Sequence, residues 1–293
     1  MLHIPAPVHA PDAPVQAPRP IVHRTRGHGG GFITRLMSPS DLGEVLKPFV
    51  FLDLFRADQA TQRAMEARGG MPIHPHSGVA TVTVITEGRM RFEDPEAGKG
   101  TIGYGGVEWM RAGGGVWHGK EMTPDDVPLI EGFQLWLALP EALENGPSES
   151  RYIEAADMPQ AGPARVIVGE HNGVRSPVPA PDGINYLLVT LAAGETFTYV
   201  PPAGHTVGWL ALAQGAIRTG ASQPRAMAGD MVVFDDSGAT IQVQASDDAP
   251  AVFVLGSAVP HPHPLHLGNY SVHTSAKALE TGENRIKELG RTL

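Results

Sequence analysis

Runs such as "ATVTVITEG" (Ala80 to Gly88) constrain this chain most: β-branched and apolar side chains alternate with polar ones, and a glycine ends the run. The pattern recurs in "PFVFLDLF", "FQLWLALP", "ARVIVGE", "INYLLVTLAAGETFTYVP", "GWLALAQG", "DMVVFDD", "ATIQVQA" and "PAVFVLGSA". Nearly all are too short for a stable helix and are rich in the β-branched and aromatic residues of strands. The punctuation comes from 35 glycines and 27 prolines, spaced as in β-sandwiches and barrels. With 42% hydrophobic residues over 293 positions the chain can bury a real core, so an all-β globular protein is predicted. One helix stands out at the end. Ser275 is placed to cap "AKALETGENRIKELG", with Leu279, Ile286 and Leu289 at helical spacing and Gly290 closing it, although Gly282 sits inside. A second, shorter helix is expected around "PEALEN".

A weak internal repeat divides the chain. "VITEGRMRF" followed later by "GGVEWMRAG" in the first half corresponds to "ALAQGAIRT" followed by "AGDMVVFDD" in the second, so that Gly88 matches Gly215 and Gly106 matches Gly229. Duplication of one β-barrel explains such matched punctuation. The predicted organisation is a Pro-rich extended arm over 1–21, a first barrel over 22–145 and a second over 146–293 with the terminal helix, the boundary falling at Gly146 to Ser148.

The residues that could do chemistry lie in the first predicted barrel. In "HPHSGVATVTVITEG" His74 and His76 lie two residues apart, and in a strand i and i+2 share a face. That spacing permits chelation without requiring it. Under the repeat alignment His74, Pro75 and His76 become Pro201, Pro202 and Ala203, and His205 falls two places out of register, so the second barrel is expected to lack the metal ligands. Another H-P-H at His261 and His263, with His266 nearby, sits among prolines with no alternating strand after it and reads as a connecting segment. The tryptophans Trp109, Trp117, Trp136 and Trp209 read as core or pocket wall.

Composition excludes several classes. A net charge of −9 without a lysine or arginine block argues against direct nucleic-acid binding. Zero cysteines remove disulfides, zinc ribbons and iron–sulfur clusters, so that any metal must take nitrogen and oxygen ligands. No run of about 18 uncharged apolar residues marks a membrane span, and no basic lead with an apolar stretch marks a signal peptide, so no membrane association and a cytoplasmic location are expected.

Taken together, "LKPFVFLDLF", "HPHSGVATVTVITEG", "GGVEWMRAGGGVWHGKEM", "FQLWLALP" and "YSVHT" before a terminal helix resemble the pirin family of the cupin superfamily, from about Lys47 to the C-terminus. The resemblance implies a bicupin, two double-stranded β-barrels with a short C-terminal helix, whose first barrel holds one iron through three histidines and a glutamate. His74, His76 and His118 match three of those ligands. The fourth place is ambiguous: strict spacing in "HGKEM" puts Lys120 there, while a bulge at Gly119 and Lys120 would bring in Glu121. Ser77 and Ala80 also replace the arginine and glutamate common after H-P-H in that family. The expected cofactor is one divalent transition metal, Fe(II) first, with Mn, Ni, Cu or Zn as alternatives.

Two functions follow from the resemblance. One is an oxygenase of the quercetin 2,3-dioxygenase type, with Glu121 as ligand or as the base for a substrate hydroxyl, acting on a small aromatic, flavonol-like molecule. The other is a metal- or redox-dependent regulator of the transcriptional co-regulator type, which binds a protein partner.

Overall fold

The computed structural model describes residues 19–94, 97–220 and 225–293. Its organising elements are two large antiparallel sheets whose central strands are buried on both faces. One has six strands, in the order Glu149–Ile153, Val107–Arg111, Val79–Glu87, Leu129–Ala138, Phe49–Asp58 and Ile33–Met37. The other has seven: Ile21–Thr25, Met231–Phe234, Val207–Gln214, Ala251–Ala258, Ile184–Leu191, Ala164–Val168 and Gln160–Ala161. The fold is all-β and of the bicupin type, as the sequence predicts.

Strand alternation explains how each sheet serves two cores. Along Val79–Glu87, Ala80, Val82 and Val84 join Trp109 and Leu135 in a core shared with Leu188, Trp209, Met231 and Val254 of the second sheet. Phe49 meets Trp209 edge to face at 5.3 Å across that junction. Both indoles are fully buried, and such side chains dominate packing energetics. The alternate residues turn into each half. In the second half they are mostly apolar, including Leu187, Leu210, Phe253 and Leu255, and they pack on a four-stranded sheet that supplies Phe197, Tyr199 and Ile241. In the first half buried Thr81, Thr83 and Glu108 interrupt the apolar clusters around Phe51 and Ile85. Polar groups inside a barrel need partners or a purpose.

The repeat is visible in the backbone. Gly88 and Gly215 both have φ of 77°, and a Cβ on either would strike a carbonyl of the chain entering the next long strand, Leu129 O at 2.1 Å or Pro250 O at 2.2 Å. Only glycine fits such a turn. The halves also exchange strands. Ile21–Thr25 pairs with Met231–Phe234 of the second sheet, and Glu149–Ile153, beyond Gly146 to Ser148, pairs with Val107–Arg111 of the first. Residues 1–18 of the expected arm lie outside the described residues. Arg19 is buried, its Nε–H donated to Asp235 O at 2.9 Å.

The helices differ in part from the sequence reading. "PEALEN" forms a turn, with Leu143 N and Glu144 N both donating to Pro140 O, and the Glu144 carboxylate is committed elsewhere. Two unanticipated helices appear, Leu42–Leu46 and Gln59–Ala67; Asp58 caps the latter through Thr61 N at 2.8 Å. The terminal helix is Ala276–Gly290, capped by Ser275 Oγ as expected. Gly282 is buried in it because the helix lies directly on Ser77 and His273, where a Cβ would come within 2.6 Å of Ser77 Oγ and of His273 Nε2. No helix among the described residues is long and apolar enough to cross a membrane.

Helix propensity favours Gly282→Ala by about 1 kcal/mol, but overpacking costs about 1–3 kcal/mol. The expected outcome is net destabilisation, read as a lower urea midpoint; a raised midpoint would show that the helix does not seat against Ser77 and His273.

Candidate metal centre

A short ladder builds the site. His74–His76 pairs antiparallel with Val116–His118, so that His74 lies opposite His118, and the strand period puts His76 on the same face. The three imidazoles converge with ring centroids 4.6 Å (His74 to His118), 4.9 Å (His74 to His76) and 5.0 Å (His76 to His118) apart, and one nitrogen from each lies within 4.8 Å of the others. They form the one such group found among the described residues.

The donor atoms are preset. His74 Nδ1–H donates to Pro72 O at 2.9 Å and His76 Nδ1–H to Tyr270 O at 3.3 Å. A carbonyl can only accept, so both Nε2 atoms keep their lone pairs. His76 Nε2 and His118 Nε2 are buried with no hydrogen-bond partner, which is costly unless a ligand engages them. Burial, aided by the other two imidazoles, holds His76 well below its ordinary pKa. Burial and His74 lower His118 to about 4, against the opposing pull of Glu121. Neutral imidazoles are what a metal binds. An all-nitrogen donor set without thiolates fits a divalent transition metal.

The C-terminal segment clamps this ladder. Tyr270, held at φ 61°, supplies the carbonyl that orients His76, and its ring lies 5.6 Å from that of His74. Behind it runs a buried network: Ser77 Oγ donates to Ser271 Oγ at 2.9 Å and lies 3.0 Å from His273 Nε2, while His273 Nδ1 is 3.2 Å from Glu144 Oε2. Glu144 also accepts from Thr274 N and Thr274 Oγ1, each at 2.7 Å. The Ser77, His273 and Glu144 side chains are nearly inaccessible, so the network positions rather than reacts. Trp136, stacked on Phe51 at 4.1 Å, stands edge-on to His76 at 4.7 Å.

Past His118 the chain turns at Gly119, φ 144°, where a Cβ would lie 2.6 Å from Pro72 O. Lys120 is exposed, whereas Glu121 and His118 both line a cavity of about 160 Å³ inside the first half. Glu121 Oε2 accepts the Gly119 N–H at 2.7 Å, and its carboxylate stands outside the three-imidazole group. The cavity also exposes a residue that motif reading missed. Glu108 is buried, lies opposite Thr83 in the sheet and takes the Thr83 hydroxyl on Oε2 at 2.6 Å. Burial pushes its carboxyl up to about 7, with Thr83 opposing and Glu121 and Asp94 adding to the rise. The available signal was an acidic residue on the inward face of the strand "VEWMR".

The other histidines lie apart. His261 and His263 sit in the connection after Ala251–Ala258, their rings 5.6 Å apart. His205 lines a cavity of about 400 Å³ in the second half together with His171 and Asn185, its Nδ1 3.0 Å from Ser257 Oγ. That space is larger, but it lacks convergent imidazoles of the kind seen around His76.

Two cupin-type halves packed through their large sheets, one with three imidazoles gathered on a short ladder, define a metal-binding cupin. Residues 32–137 match the Pirin family model. A pirin-like protein of Caulobacter vibrioides is 34% identical over 257 residues, spanning 83% of this chain and 89% of that relative. The chain belongs to the pirin family. Among solved structures, a quercetin 2,3-dioxygenase from Acinetobacter baumannii superposes with a TM-score of 0.76 at 24% identity, covering 92% of this chain and 96% of that one. The bacterial pirin YhhW from Escherichia coli, in complex with nickel(II), gives 0.59 at 16% identity over 83% and 98%.

Glu144→Ala should leave Thr274 and the Nδ1 of His273 unpaired, costing about 3 kcal/mol in urea unfolding, and should weaken metal retention about tenfold by freeing the Tyr270 carbonyl. Unchanged metal retention in dialysis against a chelator would disconnect the clamp from the site. A second expectation concerns pH. Because the folded state holds the Glu108 proton more tightly than the unfolded chain, stability falls as pH rises from about 4.5 toward 7 and stays lowered above. In metal-free protein Glu108→Gln should match wild type near pH 4 and exceed it by on the order of 3 kcal/mol at pH 8. Parallel stability curves would assign the elevated carboxyl elsewhere.

Proposed function

We propose that this protein is a mononuclear metal-dependent oxygenase of the quercetin 2,3-dioxygenase type, acting on hydroxylated aromatic molecules. The observation that carries the reading is the pair of buried, unpartnered Nε2 atoms of His76 and His118 beside His74, with His118 lining a largely apolar cavity. His74, His76 and His118 would hold the ion, with Glu121 as fourth ligand once it leaves the Gly119 N–H. Fe(II) is the first candidate, and the nickel in the Escherichia coli relative keeps other divalent ions in view. The bound metal would supply Lewis acidity toward an enol oxygen and the redox chemistry that dioxygen requires.

The chain's own residues do the remaining work. Pro72 O and Tyr270 O fix two rings and their tautomers before substrate arrives. Phe55, Met90 and Met122 give the cavity a dry wall. Glu121, if not coordinated, is placed to take a hydroxyl proton. The name of the Acinetobacter baumannii neighbour, a quercetin 2,3-dioxygenase, supports this type of reaction on a hydroxylated aromatic molecule.

A second reading has its own observation. Met71, Ile73 and Tyr270 are exposed around the histidine ladder, a surface that suits a protein partner responding to the metal's state. This would be the regulatory role. A cytoplasmic protein without direct nucleic-acid contact is compatible with both.

The test is oxygen uptake by anaerobically loaded protein with a panel of flavonols, including quercetin, and single-ring catechols. Metal-dependent uptake with at least one member is expected, abolished by His74→Ala. Glu121→Gln should reduce metal content about tenfold or more while Lys120→Ala leaves it unchanged. The reverse pattern would return the fourth place to Lys120, and absence of metal-dependent uptake across the panel would favour the regulatory reading.

A further inference from the structure

The cavity beside His118 combines size, charge and one buried acceptor in a way that narrows what can enter. Its volume of about 160 Å³ is well below the ~300 Å³ at which pockets for drug-sized ligands begin. So small a space suits one substituted ring better than a three-ring flavonol.

Charge narrows the choice further. Asp53, Glu66, Glu108 and Glu121 line the space, and no lysine or arginine lines it among the described residues. Arg35 neutralises Asp53 from outside the cavity, through an ion pair with both carboxylate oxygens. The other acids have no such cation at the wall. An anionic molecule would lose its hydration and meet like charge. Thioethers of Met65, Met90 and Met122 face the same space and favour aromatic contact.

Glu108 supplies the recognition. Thr83 occupies Oε2 and leaves Oε1 as the carboxyl oxygen available to a guest. Cross-strand pairing with Thr83, which itself pairs with Gln134 on the next strand, fixes the Glu108 backbone within the sheet. The side chain is therefore set before a ligand arrives, which limits the ordering cost of binding.

We infer that the cavity selects a neutral, single-ring molecule with adjacent hydroxyl groups, one of which donates to Glu108 while the other end faces the histidine site. The inference deepens the oxygenase reading and rests on it for what happens to the bound molecule. Glu108 is then a specificity-determining residue: it recognises the hydroxyl by accepting its proton in a hydrogen bond, and its negative neighbours exclude carboxylates.

Titration calorimetry under nitrogen, on the full chain loaded with redox-silent zinc, tests this with three probes: catechol, 3,4-dihydroxybenzoate and quercetin. Catechol should bind at least about tenfold more tightly than either of the others, and Glu108→Ala should weaken it about tenfold, the effect of leaving a buried hydroxyl without its acceptor. Glu108→Gln, which keeps the shape and an acceptor, should recover part of that loss. With chelator-treated protein catechol should bind more weakly overall yet with the same dependence on Glu108. Quercetin or dihydroxybenzoate binding as tightly as catechol, or Glu108→Ala leaving catechol unaffected, overturns the inference. Oxygen uptake by the same chain loaded anaerobically with iron separates these failures from failure of the oxygenase reading, which would show as no metal-dependent uptake with any member of the panel.

Discussion

The three-residue pairing of His74–His76 with Val116–His118 is the constraint on which the candidate site depends. Register in a sheet is all or none: a slip by one residue would turn the imidazoles of one strand to the opposite face. So short a ladder contributes few hydrogen bonds of its own. Its register is fixed from outside, by Gly78 N donating to Gly113 O, by Gly119 turning against Pro72, and by the Tyr270 carbonyl held through Ser77, His273 and Glu144. The terminal helix completes the clamp, with Trp117 Nε1–H donating to Ile286 O at 2.9 Å. A residue near the end of the chain thereby orients a histidine near its first quarter.

Duplication produced two similar frames with different interiors. In the second half Leu187, Leu210, Phe253 and Leu255 fill the space between sheets and stabilise it by apolar burial. At corresponding depth the first half places Thr81, Thr83 and Glu108, which forgo part of that stabilisation for a cavity with a few polar groups in its wall. The shared core between the two large sheets offsets this cost, because Trp109, Phe49 and Trp209 pack there regardless of what either interior contains. One half thus lends rigidity to the half that carries the chemistry, as functional constellations require.

Legibility in the sequence followed the range of the interactions. Strands, turn glycines, the repeat and the terminal helix rest on contacts within a few residues or on strand period, and each was readable from "ATVTVITEG" or from Ser275 to Gly290. The histidines at 74 and 76 were readable as a same-face pair for the same reason. Family likeness added His118 and posed the choice between Lys120 and Glu121, which spacing alone left open. The helix Gln59–Ala67 escaped because it follows a strand without a break, its cap Asp58 being also the last strand residue. "PEALEN" misled because its glutamate serves Thr274 and His273, 129 residues and more away, instead of its own helix.

By itself, then, the sequence determined an all-β duplicated frame, nitrogen and oxygen metal chemistry through the lack of cysteine, and a histidine pair on one strand face. These depend on side-chain type and local period. Only the tertiary structure decided that Lys120 faces out while Glu121 lines the cavity, that the strands at Ile21 and Glu149 cross to opposite sheets, and that Glu108 is a buried acid beside the candidate centre. Those outcomes depend on how Gly119 turns against Pro72 and on which strands meet across distances the chain must close, and neither is encoded in any short stretch of residues.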